Sequence, residues 1–432
     1  MSNPASGPRT AGRSRVVAWA LWDCGATGVN AIVVTFVFSV YLTEQVGAGL
    51  PGPTTPASWL GRVLTMAGLS VALLAPATGV LVDAPHRRRT VLAVLTGAVV
   101  ALTSAMSLIR ADYEYLWLGL AMLACTAAFS DLATVPYNAM LRQLSTPETS
   151  GRVSGFGSAA GYFGSVLLLL VVYLGLIRGD GGMLALPTDD GQNVRAAMLL
   201  TAAWFALFAL PLLVTARHLD TDERPPAVGF LGAYRALWIE VKGEWRRDRQ
   251  VVYYLLASAV FRDGLTGVFS FGAVLGVSVY GVSPADVLLF GVAACVIAAI
   301  GAVLGGLLDD RVGSKPVIVG SLTAMVVVGL VLLTLSGVVA FFVCGLLLCL
   351  FVGPTQSSAR TMMLRMSTEG KEGIAFGLYT TTGRAVSFLA PFLFFTFIDV
   401  FGSDRAGLGG LITVLALGLV AVLAVRVPTR SR

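Results

Sequence analysis

Five ionisable residues interrupt apolar stretches of the sequence that are otherwise long enough to cross a membrane: Asp23, Asp131, Arg262, Asp263 and Arg384. An ionised side chain at bilayer depth costs free energy unless it is paired or hydrated, so each residue is a candidate for binding or coupling. Guanidinium groups can hold a carboxylate, and carboxylates can hold an ammonium group. The set predicts reversible binding of a small charged solute. The alternative for each residue is a salt bridge that only holds helices together.

Two amide side chains share helical faces with these charges. Asn30 follows Asp23 by seven residues, and Asn138 follows Asp131 by the same interval. Seven residues are about two turns of an α-helix, so each pair lies on one face. These faces extend the candidate solute site along two helices.

The aspartates are also candidates for carrying a proton. Burial favours the protonated form of a carboxyl group, whereas a neighbouring guanidinium group favours the ionised form. Asp263 directly follows Arg262 in the sequence, so the proton-coupling residue is predicted to be Asp23 or Asp131. A proton needs only one carboxyl group, whereas sodium needs several converging oxygen atoms, and polar groups near these two aspartates are sparse. The predicted coupling ion is therefore a proton.

Composition places the chain in the membrane. Its 432 residues are 56% hydrophobic and 12% charged, against about 45–50% and about 25% in soluble domains. Lipid offers no hydrogen-bond partner to a free backbone group, so the spans must be helices. Twelve apolar runs are long enough: 16–43, 58–82, 90–109, 114–141, 152–177, 195–216, 250–280, 285–308, 316–336, 338–364, 373–399 and 406–425. The predicted fold is an all-α membrane protein with twelve transmembrane helices.

The sequence repeats itself at a nearly constant offset. Met-Leu-Arg at 140–142 returns at 363–365, and the glycines at 151 and 155 return at 373 and 377. Such a repeat predicts two pseudo-symmetric six-helix bundles, the organisation of two-bundle membrane transporters. The predicted parts are a disordered tail (1–15), an N-terminal bundle (16–216), a linker with an amphipathic helix (217–249), a C-terminal bundle (250–427) and a short tail (428–432).

Basic residues set the predicted orientation. Placing both termini in the cytoplasm puts 23 of the 30 Lys and Arg residues there, as the positive-inside rule requires. The net charge of +6 is then a consequence of topology and gives no support to nucleic-acid binding. None of the three lysines lies in a nucleotide-binding glycine loop, and the two histidines form no metal ligand set. We therefore expect no enzyme activity, cofactor or metal, and expect a monomer in a plasma membrane such as a bacterial inner membrane.

Two turns resemble a motif of the major facilitator superfamily. The segment 306–315 reads Gly-Leu-Leu-Asp-Asp-Arg-Val-Gly-Ser-Lys, close to the Gly-x-Leu-Ala-Asp-Arg-x-Gly-Arg-Lys turn of that superfamily, and 79–89 is a degenerate copy. Acidic and basic residues of such turns can pair across the cytoplasmic interface in one conformation and separate in the other. The predicted gate residues are Gly79, Asp83, Arg87, Arg88, Asp310, Arg311 and Lys315.

A narrower resemblance covers almost the whole chain. The segments Trp-Ala-Leu-Trp-Asp at 19–23, Pro-Tyr-Asn-Ala-Met at 136–140, Gly-Arg-Val-Ser-Gly-Phe-Gly at 151–157 and Phe-Gly-Leu-Tyr at 376–379, with Gly161-Tyr162 and Gln356 with Arg360, resemble the "unknown major facilitator" branch that includes the autophagy-related vacuolar effluxer. The resemblance implies a solute transporter, and amino acids are the solute class that it indicates. Two departures fall where solute would be expected: Gly-Ala-Thr at 25–27 replaces Ala-Asn-Ser, and Arg262 replaces an asparagine.

These observations together predict a secondary active transporter for an amino acid or another carboxylate-bearing metabolite. Its partners would be the solute, the lipid bilayer and a proton. One alternative is a cation-coupled sugar permease, against which the absence of a buried acid from the second span counts. Another is a receptor or assembly protein that transports nothing. The predicted solute-binding residues are Arg262, Asp263, Arg384, Asp131, Asn138, Asn30, Tyr162 and Gln356.

Overall fold

The computed structural model describes residues 12–216, 242 and 249–426. Twelve helices in these residues are long and apolar enough to cross a membrane, which confirms the predicted fold class. They are α1 (Arg13–Val46), α2 (Pro56–Val82), α3 (Pro85–Ala105), α4 (Leu116–Ala139), α5 (Ser150–Val172), α6 (Gln192–Thr215), α7 (Arg249–Ser278), α8 (Pro284–Val312), α9 (Ser314–Thr334), α10 (Val338–Met366), α11 (Glu372–Phe401) and α12 (Asp404–Ala424). The predicted amphipathic helix of the linker lies outside the described residues.

The helices form two bundles, α1–α6 and α7–α12, that meet mainly where α2 packs on α11 and α5 packs on α8. We call the basic face the side on which α2, α4, α8 and α10 end and α3, α5, α9 and α11 begin. It is the side that the sequence places in the cytoplasm. Two helices are irregular. α1 contains π-helical turns at Asn30–Phe36 and Leu42–Val46, and α11 is divided into Glu372–Val386 and Leu389–Phe401.

Repeated glycines form the contacts between the bundles. A Cβ atom on Gly155 of α5 would lie 2.3 Å from the carbonyl oxygen of Ala302 in α8. A Cβ atom on Gly377, its repeat partner in α11, would lie 2.6 Å from the carbonyl oxygen of Ala75 in α2. Such distances leave no room for a side chain, so glycine is required for this backbone approach. The duplication seen in the sequence is therefore a duplicated helix-packing surface.

Candidate solute site and gate

One partly exposed charged pair inside the spans joins the two bundles. Asp131 of α4 forms a close ion pair with Arg384 of α11. Their side chains are 21% and 40% exposed, respectively, although both residues lie within helices that cross the membrane. Arg384 also borders α2, since a Cβ atom on Gly68 would lie 4.0 Å from its Cδ atom. The pair therefore faces the cleft between the bundles, where a solute could reach both charges.

A second cross-bundle pair involves an arginine that the predicted site left out. The Arg360 Nη2 atom of α10 lies 3.8 Å from Asp23 Oδ2 of α1 and donates to Ser158 Oγ of α5 at 2.8 Å. The guanidinium group also lies over the rings of Trp19 and Tyr137, at 5.3 and 5.7 Å. The signal for Arg360 was present in the sequence, because it follows Gln356 by one helical turn, but its partner could not be assigned.

The adjacent residues Arg262 and Asp263 do not neutralise each other. Arg262 donates to the carbonyl oxygen of Tyr379 at 2.9 Å and stacks 3.7 Å above the ring of the same residue. The carboxylate of Asp263 instead accepts the backbone N–H of Ala390 at 2.5 Å. The adjacency of Arg262, which favoured Asp23 or Asp131 over Asp263 as the proton carrier, therefore does not produce an ion pair in the described residues. Consecutive residues on a helix point about 100° apart, so neighbours in sequence face different helices.

The remaining predicted solute residues divide into two groups. Tyr162 of α5 donates to Gln356 Oε1 of α10 at 2.6 Å, and its ring stacks on Phe269 of α7. This contact lies beside Asp23, since a Cβ atom on Gly161 would be 3.3 Å from the Asp23 carboxyl carbon. By contrast, Asn30 is exposed in a π-helical turn, and Asn138 is half-buried. Neither asparagine is brought into the two ion pairs, and their roles stay predictions.

At the basic face, the acids of both motif turns bind the backbone at the start of a helix in the other bundle. Asp310 of α8 accepts the backbone N–H groups of Gly151 and Arg152 at the start of α5, at 2.8 and 3.1 Å. Asp83 accepts the N–H of Ile374 at the start of α11, at 3.0 Å. The acids therefore bind helix N-termini, whose partial positive charge attracts carboxylates. Burial raises the pKa of Asp83 to about 7.

The basic residues of the two turns have unequal roles. Arg88 is buried and binds Glu372 of α11 at 2.8 Å as well as the carbonyl oxygens of Val82 and Ala139. Lys315 donates to the carbonyl oxygens of Leu423 and Val425 in its own bundle. In the part of the chain that the structure describes, neither Arg87 nor Arg311 forms an ion pair between the bundles. Pairs of an acid with a base across the interface are thus present for Arg88, with Glu372, and for Asp310, with Arg152 at 3.4 Å.

Glu372 joins the two bundles at the basic face, and the sequence analysis missed it. Its side chain is 2% exposed and lies between Arg88 of α3 and Arg142, just after α4, whose Nε atom is 2.5 Å away. The Arg142 side chain also donates hydrogen bonds across the interface to the carbonyl oxygens of Leu364 and Ser367. With the two acid-capped helix starts, this cluster ties the two bundles together at the basic face.

Comparison with known proteins shows which family the sequence of this chain matches. The sequence model of the family described as "Vacuole effluxer Atg22 like" matches residues 61–432. A relative from Bacillus subtilis (strain 168), named "Uncharacterized MFS-type transporter YxiO", is 21% identical over 405 residues, which are 93% of this chain and 92% of the relative. "Autophagy-related protein 22" of Yarrowia lipolytica is 21% identical over 279 residues, which are 58% of this chain and 46% of the relative. The chain thus spans about half the length of the fungal proteins that it matches.

A solved structure shares the whole fold. The proton:xylose symporter XylE, in complex with 6-bromo-6-deoxy-D-glucose, superposes with a TM-score of 0.69 at 14% sequence identity. The alignment covers 95% of this chain and 93% of XylE. At this level of identity the likeness concerns the arrangement of helices and carries no information about the solute.

Proposed function

The chain belongs to the Atg22-like family of the major facilitator superfamily, whose members are transporters, and from this premise we propose that it moves a small zwitterionic or carboxylate-bearing solute by alternating access. The observation that carries the proposal is the ion pair between Asp131 and Arg384. It joins the two bundles, lies within the spans and remains accessible from the cleft. An ionisable pair in such a place is the strongest candidate for a solute contact.

An amino acid fits this pair by exchange of partners. Its carboxylate would take the two-pronged guanidinium group of Arg384, and its ammonium group would take the carboxylate of Asp131. Both protein charges then keep an opposite charge, so the exchange leaves no unpaired ion at bilayer depth. A sugar offers hydroxyl groups only and cannot neutralise either charge. A neutral solute that separated Asp131 from Arg384 would therefore leave both charges unpaired, which disfavours its binding.

Alternating access requires that this structure represent one of two states. The basic face is closed by Glu372 and by the acid-capped starts of α5 and α11, while the Asp131–Arg384 pair is exposed. A solute that bridges α4 and α11 contacts both bundles and so binds the two states with different affinity, which is what drives a population shift. We further propose that one chain is the functional unit, because it supplies both bundles and the pair between them.

A direct binding assay tests the solute class. Full-length protein in nanodiscs would be screened by thermal shift against amino acids, dicarboxylates and hexoses, followed by calorimetry. Arg384→Gln should weaken binding of the best amino acid by about 10–100-fold, the loss expected for a charge-assisted hydrogen bond. The matched control is Arg405→Gln, since the bonds of Arg405 within the described residues stay in its own bundle, to Leu333 and Ser336. Equal binding by both variants, or a preference for hexoses, would refute the proposal.

We also propose that transport is coupled to protons through Asp23. Its carboxylate faces Arg360 across the interface between the bundles and receives a hydrogen bond from Thr27, so a proton on Asp23 would weaken a tie between α1 and α10. Asp23→Asn imitates the protonated acid and should retain exchange of solute across proteoliposomes. It should lose accumulation driven by a pH gradient. Accumulation that follows a sodium gradient at constant pH would contradict this assignment.

A further inference from the structure

α11 is interrupted at a place where its own sequence forbids a regular helix. Pro391 has no N–H group, and its ring conflicts with the carbonyl group four residues earlier, that of Ser387. The backbone tightens there: the N–H of Ser387 reaches back only three residues, to the carbonyl oxygen of Arg384 at 3.4 Å. The helix resumes at Leu389. This break leaves the N–H of Ala390 in need of an acceptor outside the helix.

Asp263 of α7 supplies that acceptor. Its carboxylate receives the N–H of Ala390 at 2.5 Å, and Asp263 is 7% exposed while Ala390 is fully buried. The two helices are close here, because a Cβ atom on Gly267, one turn along α7, would lie 3.0 Å from the Ala390 Cβ atom. A backbone N–H group without an acceptor is costly in an apolar interior. The contact therefore fixes where the second half of α11 sits on α7.

Arg384 lies directly before the break. It belongs to the last turn of the first half of α11, and its carbonyl oxygen accepts both the N–H and the hydroxyl group of Ser387. Arg384 and the break therefore share backbone hydrogen bonds. Asp263, which the sequence analysis counts among the solute-binding residues, instead binds the backbone on the other side of this break.

We propose that Asp263 is a positioning residue that holds the break in α11 and thereby aims Arg384 at Asp131 and the cleft. The functional meaning of that aim rests on the proposed role of Arg384 in solute binding, but the structural link does not. Accepting an N–H bond needs an oxygen atom rather than a negative charge. Asparagine at position 263 keeps such an oxygen, whereas leucine, of similar size, does not. The two substitutions therefore separate positioning from charge.

The test measures the chemical accessibility of Arg384 directly and needs no solute. Full-length protein in nanodiscs is treated with phenylglyoxal, which modifies accessible guanidinium groups, and the rate at Arg384 is followed by mass spectrometry. Asp263→Leu should raise that rate by about tenfold, as expected when Arg384 loses one charge-assisted bond to Asp131. Asp263→Asn should stay within about twofold of the parent on the same scale. Asp404→Leu, at an exposed acid at the start of α12, is the matched control.

Pro391→Ala provides an independent arm. With the proline removed, α11 can form its regular hydrogen bonds, so Ala390 no longer depends on Asp263, and adding Asp263→Leu should then change the rate at Arg384 far less. An effect of Asp263→Asn as large as that of Asp263→Leu would show that charge matters, and would overturn the proposal. So would an unchanged rate in Asp263→Leu, or an undiminished effect in the Pro391→Ala background. Failure of the amino-acid binding assay alone would leave these results standing, so the two proposals fail separately.

Discussion

The two contacts that close the basic face are copies of one another in sequence but differ in charge. In the α5–α8 contact, Asp310 accepts two backbone N–H groups and has the guanidinium groups of Arg152 and Arg365 at 3.4 and 3.6 Å. In the α2–α11 contact, Asp83 accepts one N–H group, that of Ile374, and lies near the charges of Lys371, Arg88 and Glu372. Duplication therefore preserved the binding of an acid to a helix N-terminus, while the surrounding charges diverged. The difference predicts that the α2–α11 contact responds to pH near neutrality.

The largest effect is expected from Glu372, whose repeat partner in the α5–α8 contact is not an acid. Glu372→Ala would leave Arg88 and Arg142 without their carboxylate, and breaking a buried pair costs about 3–5 kcal/mol. The closed state should be lost, seen as fast labelling of a cysteine placed at Ser154, a fully buried residue between the bundles. Ser150 is the repeat partner of Glu372, and Ser150→Ala is the matched control with little expected effect. Equal labelling rates in both variants would contradict the predicted difference between the two contacts.

A smaller effect should separate the two acids themselves. Asp310→Asn removes a charge that two N–H groups and two guanidinium groups share, which predicts a loss of about 1–3 kcal/mol from the closed state at pH 8. Asp83→Asn should not open the closed state, because burial disfavours the ionised carboxyl group of Asp83, which has a pKa of about 7, and the substitution removes that charge. The same Ser154 cysteine reports both. Effects of equal size would mean that the charge environments are equivalent.

The last difference is a pH dependence that arises from Asp83. Burial raises the pKa of Asp83 to about 7 in the closed state, and opening would return the carboxyl group to a pKa of about 3.9. The closed state binds the proton more tightly, so the added stability is complete below about pH 4 and is lost as pH rises through about 7. Labelling of the Ser154 cysteine, corrected for thiolate ionisation, should increase between pH 5 and about pH 8, by at most about tenfold per pH unit. Asp83→Asn should abolish this increase, whereas Asp310→Asn should retain it.

Much of the site was accessible from residue types and spacing. The aspartates and arginines inside apolar runs were found because charge is conspicuous there, and the two gate turns were found through their repeated pattern. Glu372 was missed because it begins a span, in a stretch with other charged residues where an acid carries no signal. The contact of Asp263 with Ala390 was not foreseen because adjacency in sequence was used in place of direction on a helix.

The sequence by itself determined the twelve spans, the duplication and the presence of charges within the membrane. Hydrophobic length and helical periodicity are local properties, and a repeat is visible wherever it occurs. Only the tertiary structure decided that Asp131 pairs with Arg384, that Arg360 faces Asp23, and that Asp263 holds the break in α11. Each of these partners lies more than a hundred residues away along the chain. Which helix faces which is decided by close packing of glycine surfaces in three dimensions, and no local pattern encodes it.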